Sequence, residues 1–564
     1  MDLQSWIIFF FAIQLLHGLA TFKLYLKAGK QAWEAFIPVY NAVILMKIIN
    51  RTWWWTILLF LPIVNLILFP VIWVEIARSY GRHSRLDTLL AIVSLGFYSF
   101  YLSYGLDLNH IEDRSLKPRS ELGDWVSSIL FAVVAATIVH TYLIQPFVIP
   151  TSSLEKTLLV GDFLFVSKFH YGARTPQTAV GLPMVHDGIP LTSIPSYLEK
   201  PQLPKFRFPG FQDIKHNDIV VFNWPVDTLS VITDPNSAVK HKPLDKKSNY
   251  VKRCVGLPGD SLAIKNGYVY INGKKNELPS RGKLQFFYSV VFKTDVSKEF
   301  IEKYKITEYS RVFEMKKSTF ENENLQSYFK NNNINLKVVS DNGKTIAFTG
   351  NVSQEVYDTL KLNFSNKALN VNLTEDLAAT IRKSTNILSV TKNLSTPNQF
   401  EPGTFPLSPD FAWNKDFFGP MYIPQSGATV DLNIDVLPLY KQIITAYEGN
   451  TLRVNGNQIL INNQVATTYT FKQDYYWMMG DNRHNSQDAR AWGFTPQDHV
   501  VGKPVLVWMS WDTNGKGFNK IRWDRLFTTV SGEGKATSFL IPVVVLILGY
   551  IGFSRYRRKK KTNA

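Results

Sequence analysis

Long apolar runs constrain this chain more than any other feature of its sequence. A helix needs about 20 mostly apolar residues to cross a bilayer. Four stretches reach or approach that length, namely Trp6–Leu24, Trp53–Val74, Val126–Ile144 and Thr537–Phe553. Leu89–Tyr104 is a shorter candidate. The sequence therefore predicts a membrane protein with several helical spans.

One apolar segment near the N-terminus has a mixed character. Trp33–Ile49 carries Glu34, Pro38, Asn41 and Lys47 among its apolar residues. A helix of this composition is typical of the membrane interface rather than of the bilayer core. We therefore expect an interfacial amphipathic helix here, inside a small polytopic membrane domain.

The net charge of +17 suits either a nucleic-acid partner or a membrane. Many basic residues flank the apolar runs, as in the tail Arg555–Lys561, where they act as topology signals. Membrane contact accounts for the charge better, and we expect no nucleic-acid partner, although composition alone leaves one open. The single cysteine, Cys254, excludes an intramolecular disulfide and a cysteine-based zinc cluster.

The character of the chain changes at Pro150. Short β-rich runs such as Asp218–Phe222, Tyr250–Val255 and Val500–Trp511 alternate with Gly, Asn and Pro turn signals up to about residue 535. This pattern is typical of a mostly-β domain of barrel or sandwich type. A region rich in lysine and asparagine, 281–440, interrupts it and is predicted to be an inserted subdomain, with a long, partly ordered loop as the alternative.

The predicted organisation has seven parts. They are a polytopic membrane domain (1–125), an anchor span (126–149), a first part of the β domain (150–280), the insert (281–440), a second part of the β domain (441–530), a C-terminal span (537–553) and a basic tail (554–564).

Basic residues near the spans predict the orientation of the β domain. The strongly basic tail and the linker Arg114–Arg119 should both face the cytoplasm. The anchor span Val126–Ile144 and the C-terminal span Thr537–Phe553 would each cross the membrane once, which places residues 150–535 on the exported side. The arginines Arg78, Arg82 and Arg85 between two candidate spans do not fit a simple five-span arrangement, which leaves the number of N-terminal spans open.

Three separated segments contain the candidate chemistry. The first places hydroxyl groups, including Thr151 and Ser153, directly after the anchor span. The second places Lys252 in the strand-like run Tyr250–Val255, which ends in a Gly-x-Pro-Gly-Asp turn. A lysine buried on such a strand loses hydration, which lowers its pKa and lets the neutral amine act as a general base. Read singly, a serine-rich turn and a solvated lysine remain the simpler interpretations.

The third segment, Met478–Phe494, is dense in polar side chains but bordered by Trp477, Trp492 and Phe494. Loops of this composition usually bond their own backbone. So many polar groups beside so many aromatic rings suggest instead a buried network next to a site.

Together and in this order, these segments resemble the type I signal peptidases, membrane-bound serine proteases that use a Ser–Lys dyad. The resemblance covers the anchor span, Ile149–Phe169, Asp218–Phe222, Tyr250–Asp260 and Gly480–Phe494. It implies a mostly β catalytic domain of signal-peptidase type, here with an inserted α+β subdomain, attached to a multi-span α-helical membrane domain.

The resemblance also implies a role for each matching residue. Ser153 would be the nucleophile and Lys252 the general base. Thr151, together with the backbone N–H of Ser153, would form the oxyanion hole. Residues that orient the lysine or support its loop would be Ser486, Asp488, Arg490 and Asp481.

Two features depart from the family pattern. The family usually has methionine after the nucleophile and proline two residues later, where this chain has Leu154 and Lys156. Replacing proline by a flexible cation means that other contacts must hold the turn. The extra N-terminal spans and the C-terminal span also differ from the usual topology.

Three other interpretations compete. Ser153-Leu-Glu-Lys156 with Ser340-Asp-Asn342 fits the penicillin-binding pattern, but Lys344-Thr-Ile346 fails as the required Lys-Thr-Gly strand. A Ser–His protease would use His170 or His484 as its base. A non-enzymatic membrane scaffold is the third.

The family resemblance implies a membrane-bound endopeptidase that removes signal peptides from exported preproteins at the cytoplasmic membrane. An extended Ala-x-Ala-like substrate would lie beside a strand edge near Ser153 or near Asp218–Phe222. The expected partners are preproteins and lipid, with the secretion translocon as a further candidate. We expect no metal and no organic cofactor.

Overall fold

The computed structural model describes residues 3–562 except 193, 228–241, 333, 335, 351, 514 and 516. Within these ranges the α-helices are α1 (Leu3–Lys27), α2 (Tyr40–Ile48), α3 (Trp55–Leu59), α4 (Val64–Ser79), α5 (Arg85–Val93), α6 (Tyr98–Phe100), α7 (Glu121–Ile138), α8 (Lys298–Lys303), α9 (Lys317–Phe320), α10 (Glu323–Asn331), α11 (Gln354–Leu360), α12 (Glu375–Arg382), α13 (Leu437–Gln442), α14 (Ala489–Trp492) and α15 (Leu540–Thr562).

The strands of the first half are β1 (Ile144–Val148), β2 (Asp162–Ser167), β3 (Ile219–Asn223), β4 (Asn249–Gly256), β5 (Ser261–Lys265), β6 (Tyr268–Ile271), β7 (Lys274–Lys275), β8 (Gln285–Phe292), β9 (Tyr309–Lys316), β10 (Leu336–Asp341), β11 (Thr345–Gly350), β12 (Asn363–Thr374) and β13 (Ile387–Lys392). Those of the second half are β14 (Phe418–Tyr422), β15 (Thr429–Asp431), β16 (Leu452–Asn455), β17 (Gln458–Ile461), β18 (Gln464–Val465), β19 (Thr468–Thr470), β20 (Tyr475–Met479), β21 (Thr495–Pro496), β22 (Val500–Ser510) and β23 (Thr528–Thr529).

Three helices in the described part of the chain are long and apolar enough to cross a membrane. They are Leu3–Lys27, Glu121–Leu143 and Leu540–Arg557. The second continues α7 through one π-helical turn at Val139–Leu143. Three of the four long predicted spans are thus continuous apolar helices.

The fourth predicted span, Trp53–Val74, is not one helix. Instead, α3 ends at Leu59 and α4 begins at Val64. Pro62 lies in the gap, and a proline disfavours helical backbone at the residue before it. The expectation of a single continuous span was wrong here, and Pro62 is a signal from which the break could have been predicted.

The segment Trp33–Ile49 also differs from the expected single helix. A short 3-10 turn, Ala32–Ala35, is followed by α2, and Pro38 lies between them. Asn41 of α2 is only 2% exposed and packs inside the core formed by the N-terminal helices. Tyr25 of α1 donates a hydrogen bond to the Asn41 carbonyl oxygen at 2.7 Å. This segment is therefore a packed part of the N-terminal helical domain.

The largest sheet begins directly after the anchor helix. Its strand order is β1-β2-β22-β3-β4-β20-β21, and β23 pairs with β22. The predicted strands at Asp218–Phe222, Tyr250–Val255 and Val500–Trp511 correspond to β3, β4 and β22. Because β22 and β4 pair with opposite sides of β3, a substrate strand near Asp218–Phe222 would have to pair with a neighbouring strand.

A second group of strands packs beside this sheet. The sheets β14-β5-β6-β7, β15-β19 and β16-β17-β18 surround an apolar core that includes fully buried Trp477 and Phe494. Since Trp477 belongs to β20, this core supports the strand that leads into the polar loop after Met479. The aromatic residues Trp477 and Phe494 therefore anchor both ends of the polar loop in this apolar core.

A third, six-stranded sheet has the order β10-β11-β9-β12-β8-β13. All its strands lie between Gln285 and Lys392, within the range predicted as an insert. Its strand β8 joins the polar loop, because Gln285 N–H donates to the Asp481 carbonyl and Arg483 N–H donates to the Gln285 carbonyl, both at 2.9 Å. The six-stranded sheet is thus attached directly to the polar loop after β20.

Candidate active site

Ser153 lies at the end of the chain segment that leaves the anchor helix. It belongs to a 3-10 turn, Ser152–Leu154, and is 6% exposed. Leu154 and Ile149 are buried in one apolar cluster with Val221 of β3. Apolar packing on both sides of Ser153 therefore fixes the turn against the main sheet.

Lys252 lies in β4, opposite Val220 of β3, and is 3% exposed. Its Nζ is 2.7 Å from Ser153 Oγ. The same amine donates to the Val251 carbonyl oxygen at 3.2 Å and lies 5.2 Å from the centre of the Tyr250 ring. Two residues from separate sequence motifs, 99 positions apart, thus meet in one buried contact.

Burial lowers the pKa of Lys252 from 10.5 to about 8. The Asp488 and Asp481 carboxylates oppose this shift, while the charge of Arg490 adds to it. None of the ion pairs found among the described residues involves Lys252, so no carboxylate contact stabilises its proton directly. An amine with this pKa is neutral in a useful fraction of molecules near neutral pH and can accept a proton from Ser153.

Thr151 lies immediately before the nucleophile turn. Its backbone is extended, and its side chain is exposed to solvent. This position is compatible with a hydroxyl that faces an incoming substrate two residues before Ser153.

The turn after Ser153 differs from one that contains proline. Lys156 has a φ of 66°, which proline cannot adopt because its ring fixes φ near −65°. Backbone hydrogen bonds from Thr157 and Leu158 to the Leu154 carbonyl, at 3.0 and 2.8 Å, hold the turn instead. In the described contacts, no hydrogen bond joins Lys156 to Ser153, so the nearer lysine is not the partner of the serine.

The polar loop that follows β20 approaches the nucleophile closely at Gly480. A Cβ added to Gly480 would lie 2.6 Å from the Ser153 carbonyl oxygen and 2.3 Å from Ser486 Oγ. Ser486 Oγ is buried and has no hydrogen-bond partner in the described structure. The described hydrogen bonds of Lys252 go to Ser153 and Val251, so Ser486 lies beside the pair without contacting the amine by a hydrogen bond.

Asp481 pairs with Arg253, the residue that follows Lys252. Arg253 Nε and Nη2 donate to the two Asp481 carboxylate oxygens at 2.7 and 2.6 Å, and Thr157 Oγ1 donates at 2.7 Å. Burial alone would raise the pKa of Asp481, but the Arg253 charge and these hydrogen bonds hold it below its ordinary value. This pair connects the lysine strand, the polar loop and the nucleophile segment.

Asp488 and Arg490 form a second buried ion pair. Arg490 Nη2 and Nε donate to Asp488 at 2.7 and 2.9 Å, and the Gly480 N–H donates to Asp488 Oδ2 at 3.0 Å. The pair therefore closes the loop back on the glycine that contacts Ser153. Asp488 also contributes to the field at Lys252, as noted above.

Neither histidine considered as an alternative base contacts Ser153. His484 Nδ1 accepts from the Phe287 N–H at 3.0 Å, and its Nε2 lies 2.9 Å from Asp416 Oδ1. His170 Nδ1 lies 2.5 Å from Ser167 Oγ. Both nitrogens of His484 are therefore occupied in contacts that join the loop to neighbouring segments.

The sequence motifs did not identify several residues at the site. Arg253 stands inside an apolar strand, and a buried charge requires a partner, so its position was a usable signal. Asn482 donates from its backbone N–H to the Ser153 carbonyl and from Nδ2 to the Ser152 carbonyl, both at 3.1 Å. Glu308 and Asn372 of the region predicted as an insert, which contact Asn482, gave no local signal.

Comparison with known proteins places this sequence in a family. Residues 122–335 and 431–511, together more than half of the chain, match the family described as signal peptidase, peptidase S26. The segment between them includes much of the six-stranded sheet. Residues 33–113 match a family of unknown function, DUF5684, over the N-terminal helices α2–α6.

Curated relatives agree with the family match. Signal peptidase I of Buchnera aphidicola subsp. Acyrthosiphon pisum (strain APS) is 23% identical over 381 residues, which cover 68% of this chain and 73% of the relative. Signal peptidase I P of Bacillus subtilis subsp. natto is 26% identical over 163 residues, 29% of this chain and 57% of the relative. Signal peptidase I of Pseudomonas aeruginosa (strain PAO1) is 30% identical over 155 residues, 27% of this chain and 38% of the relative. The chain belongs to the signal peptidase family, peptidase S26, and is a membrane-bound serine endopeptidase of that family.

Proposed function

We propose that this protein removes signal peptides from exported preproteins, with Ser153 as the nucleophile and Lys252 as the general base. The observation that supports this most directly is the 2.7 Å contact between Lys252 Nζ and Ser153 Oγ, in which both side chains are buried. A serine hydroxyl is a weak nucleophile until a base removes its proton, and a neutral lysine is one of the recurring bases.

The reaction would proceed in two halves. Lys252 takes the Ser153 proton as Oγ attacks the scissile carbonyl carbon, and Thr151 Oγ1 with the Ser153 N–H stabilises the oxyanion. Lys252 then gives its proton to the leaving amine, which departs as the new N-terminus of the mature protein. A water molecule then attacks the acyl-enzyme as Lys252 takes its proton, and this proton returns to Ser153 Oγ when the acyl bond breaks and the signal peptide leaves. Each oxyanion donor is worth about 2.7–4 kcal/mol in serine proteases.

The supporting residues act on the lysine and its loop. Asp481 holds Arg253, and the Asp488–Arg490 pair holds Gly480, so both pairs keep the loop against Ser153. Ser486 lies next to Gly480 with an unpartnered buried hydroxyl, and we assign it to orienting the Lys252 amine during the reaction.

The substrate would bind as an added strand. In β4, the pairs with β20 lie at Arg253, Cys254 and Gly256, whereas Asn249–Lys252 pair with β3 on the other side. Among the described residues, no strand pairs with the other edge of β4 at Asn249–Lys252, which lies next to Ser153. An extended Ala-x-Ala-like segment could bond its backbone there and place its small side chains in adjacent pockets.

Topology follows from the anchor helix and the charges. The helix Glu121–Leu143 continues directly into β1, so the active site lies close to the membrane surface. The basic tail and the linker Arg114–Arg119 face the cytoplasm, which puts the β domain on the exported side of the cytoplasmic membrane. We propose the seven-part organisation given above as the domain structure, the translocon as a partner and no role for nucleic acid.

The test is cleavage of a purified preprotein carrying an Ala-x-Ala site by detergent-solubilised enzyme. Wild type should release a mature protein with the expected N-terminus, measured by mass spectrometry. Ser153→Ala and Lys252→Ala should each abolish release, while Lys156→Ala should retain it. Cleavage by Ser153→Ala at the wild-type rate would refute the assignment of the nucleophile.

A further inference from the structure

The inserted sheet contributes a carboxylate to the network around the nucleophile. Glu308 lies immediately before β9, and its carbonyl oxygen accepts from the Asn372 N–H of β12 at 3.0 Å. Its Oε2 accepts from Asn372 Nδ2 at 2.5 Å and from Asn482 Nδ2 at 2.9 Å. The carboxylate thus bridges the insert and the polar loop of the active site.

Asn482 is held at both ends of its carboxamide. Its Nδ2 donates to Glu308, and its Oδ1 accepts from Asn372 Nδ2 at 2.7 Å. Asn482 is fully buried, and Asn372 is 4% exposed. Because a planar amide fixed at both ends cannot rotate, the insert sets the direction of the remaining N–H of Asn482 Nδ2.

That remaining N–H points at the nucleophile turn. Asn482 Nδ2 donates to the Ser152 carbonyl at 3.1 Å, and the Asn482 backbone N–H donates to the Ser153 carbonyl at 3.1 Å. Asn485 Nδ2 donates to Ser152 Oγ at 3.0 Å. The peptide units on both sides of Ser153 therefore accept hydrogen bonds from Asn482, the loop residue that the insert orients.

We propose that Glu308 is a positioning residue for Ser153, acting through Asn482 and supplied by the inserted sheet. This inference rests on the proposed Ser153–Lys252 chemistry. The insert then has a direct part in catalysis, since it sets the carbonyl directions of the nucleophile turn and with them the Ser153 N–H that faces the oxyanion. A shift of about 1 Å at such a position costs on the order of 100-fold in rate.

The ionisation of Glu308 supports this role. Burial would raise its pKa, but hydrogen bonds from Ser152, Asn482, Asn372 and Asn485 lower it below the ordinary value. The carboxylate is therefore ionised at neutral pH, and bonds to a charged acceptor are stronger than bonds to a neutral one.

A matched control lies on β9, the strand that begins directly after Glu308. Glu314 of β9 is also a partly exposed carboxylate of the insert, and the described side-chain hydrogen bonds and ion pairs do not include it. The experiment compares Glu308→Ala, Glu308→Gln and Glu314→Ala in the full-length protein. It measures kcat and KM for preprotein cleavage per folded enzyme, well below each variant's melting temperature.

The expected result for Glu308→Ala is a kcat lowered about 10- to 100-fold with KM within about twofold of wild type. Glu308→Gln, which keeps one acceptor oxygen, should fall between Glu308→Ala and wild type, and Glu314→Ala should match wild type. A kcat for Glu308→Ala equal to that of Glu314→Ala would overturn the proposal, as would a raised KM with unchanged kcat.

If Glu308→Ala does not fold, the same criteria apply to Glu308→Gln against Glu314→Gln. Wild type and Ser153→Ala in the same assay distinguish failure of the Ser153–Lys252 dyad from failure of the positioning role of Glu308. An active Ser153→Ala would refute the dyad, whereas an inactive Ser153→Ala with fully active Glu308 variants would refute only the positioning role.

Discussion

Arg253 and Asp481 form a two-bond ion pair in the protein interior, one residue along the strand from Lys252. Both side chains are at most 3% exposed. Strand geometry sends successive side chains to opposite faces, so Lys252 contacts Ser153 while Arg253 holds the polar loop. One strand thereby positions the base and fixes the loop that contacts the nucleophile.

Removing one member of this pair should destabilise the protein strongly. Asp481→Ala leaves the buried Arg253 guanidinium uncompensated, and breaking such pairs costs about 3–5 kcal/mol. We expect a clearly lower melting temperature and little residual cleavage. Asp341→Ala, which removes a solvent-accessible ion pair with Lys317, is the control. It should leave the melting temperature and the cleavage rate nearly unchanged. Equal melting temperatures for the two variants would show that the interior pair is not needed for stability.

Local sequence patterns predicted the strands well. The run Tyr250–Val255 corresponds to β4 (Asn249–Gly256) and Asp218–Phe222 to β3 (Ile219–Asn223), because β-rich runs bounded by turn residues are a local property of the sequence. The break within Trp53–Val74 was missed since apolar content was weighed above Pro62. Segment order and the family resemblance predicted that Ser153 and Lys252 form a pair, and their side chains are in contact in the structure.

Contacts between distant segments could not be predicted in this way. Asp481 meets Arg253 across 228 residues, and Glu308 meets Asn482 across 174. Such pairs arise from the way whole sheets pack and leave no periodic trace in the sequence. The candidate base could thus be inferred from its strand, while the network that orients the nucleophile could not.

Activity should rise with pH through the lysine titration. Burial lowers the pKa of Lys252 to about 8, and only the neutral amine can accept the Ser153 proton. We expect kcat/KM for preprotein cleavage to increase from pH 6 to 9 with a midpoint near pH 8. A profile that is flat across this range would argue against a lysine base.

The same titration should affect stability with a definite sign. Lys252 has a pKa of about 8 when folded and 10.5 as the ordinary value, so between these pH values the unfolded chain binds more protons. Wild-type stability should therefore rise with pH from about 8 to 10.5, and below pH 8 folding carries the cost of a buried charge. Lys252→Met lacks this charge, so its melting temperature should exceed that of wild type at pH 7 by more than at pH 10.5. A constant difference across this range would contradict the depressed pKa.

His484→Ala should separate a structural histidine from a base. The ring joins Phe287 N–H and Asp416, so its loss should lower the melting temperature. Loss of a general base costs about 100- to 10,000-fold in rate, and we expect this for Lys252→Ala but not for His484→Ala. The residual activity of His484→Ala should keep its midpoint near pH 8. A loss of cleavage in folded His484→Ala equal to that of Lys252→Ala would favour a histidine base.

Gly480→Ala should slow the enzyme through steric contact alone. The added methyl group would lie 2.6 Å from the Ser153 carbonyl oxygen, 2.3 Å from Ser486 Oγ and 2.6 Å from Ser486 Cβ. These distances are too short for any Cβ, so the nucleophile turn and the loop must separate. A displacement of about 1 Å at Ser153 should lower kcat on the order of 100-fold.

Gly188→Ala is a suitable control for that substitution, because among the described residues its added Cβ would meet only the Ile194 carbonyl, at 3.8 Å. It should cleave preprotein at the wild-type rate. Labelling of Ser153 by an acylating probe gives a second measure of the same effect, and it should slow in Gly480→Ala while the Gly188 variant labels normally. Normal labelling and cleavage by folded Gly480→Ala would mean that the loop can retreat without moving Ser153, and the close approach at Gly480 would then have no part in holding the nucleophile.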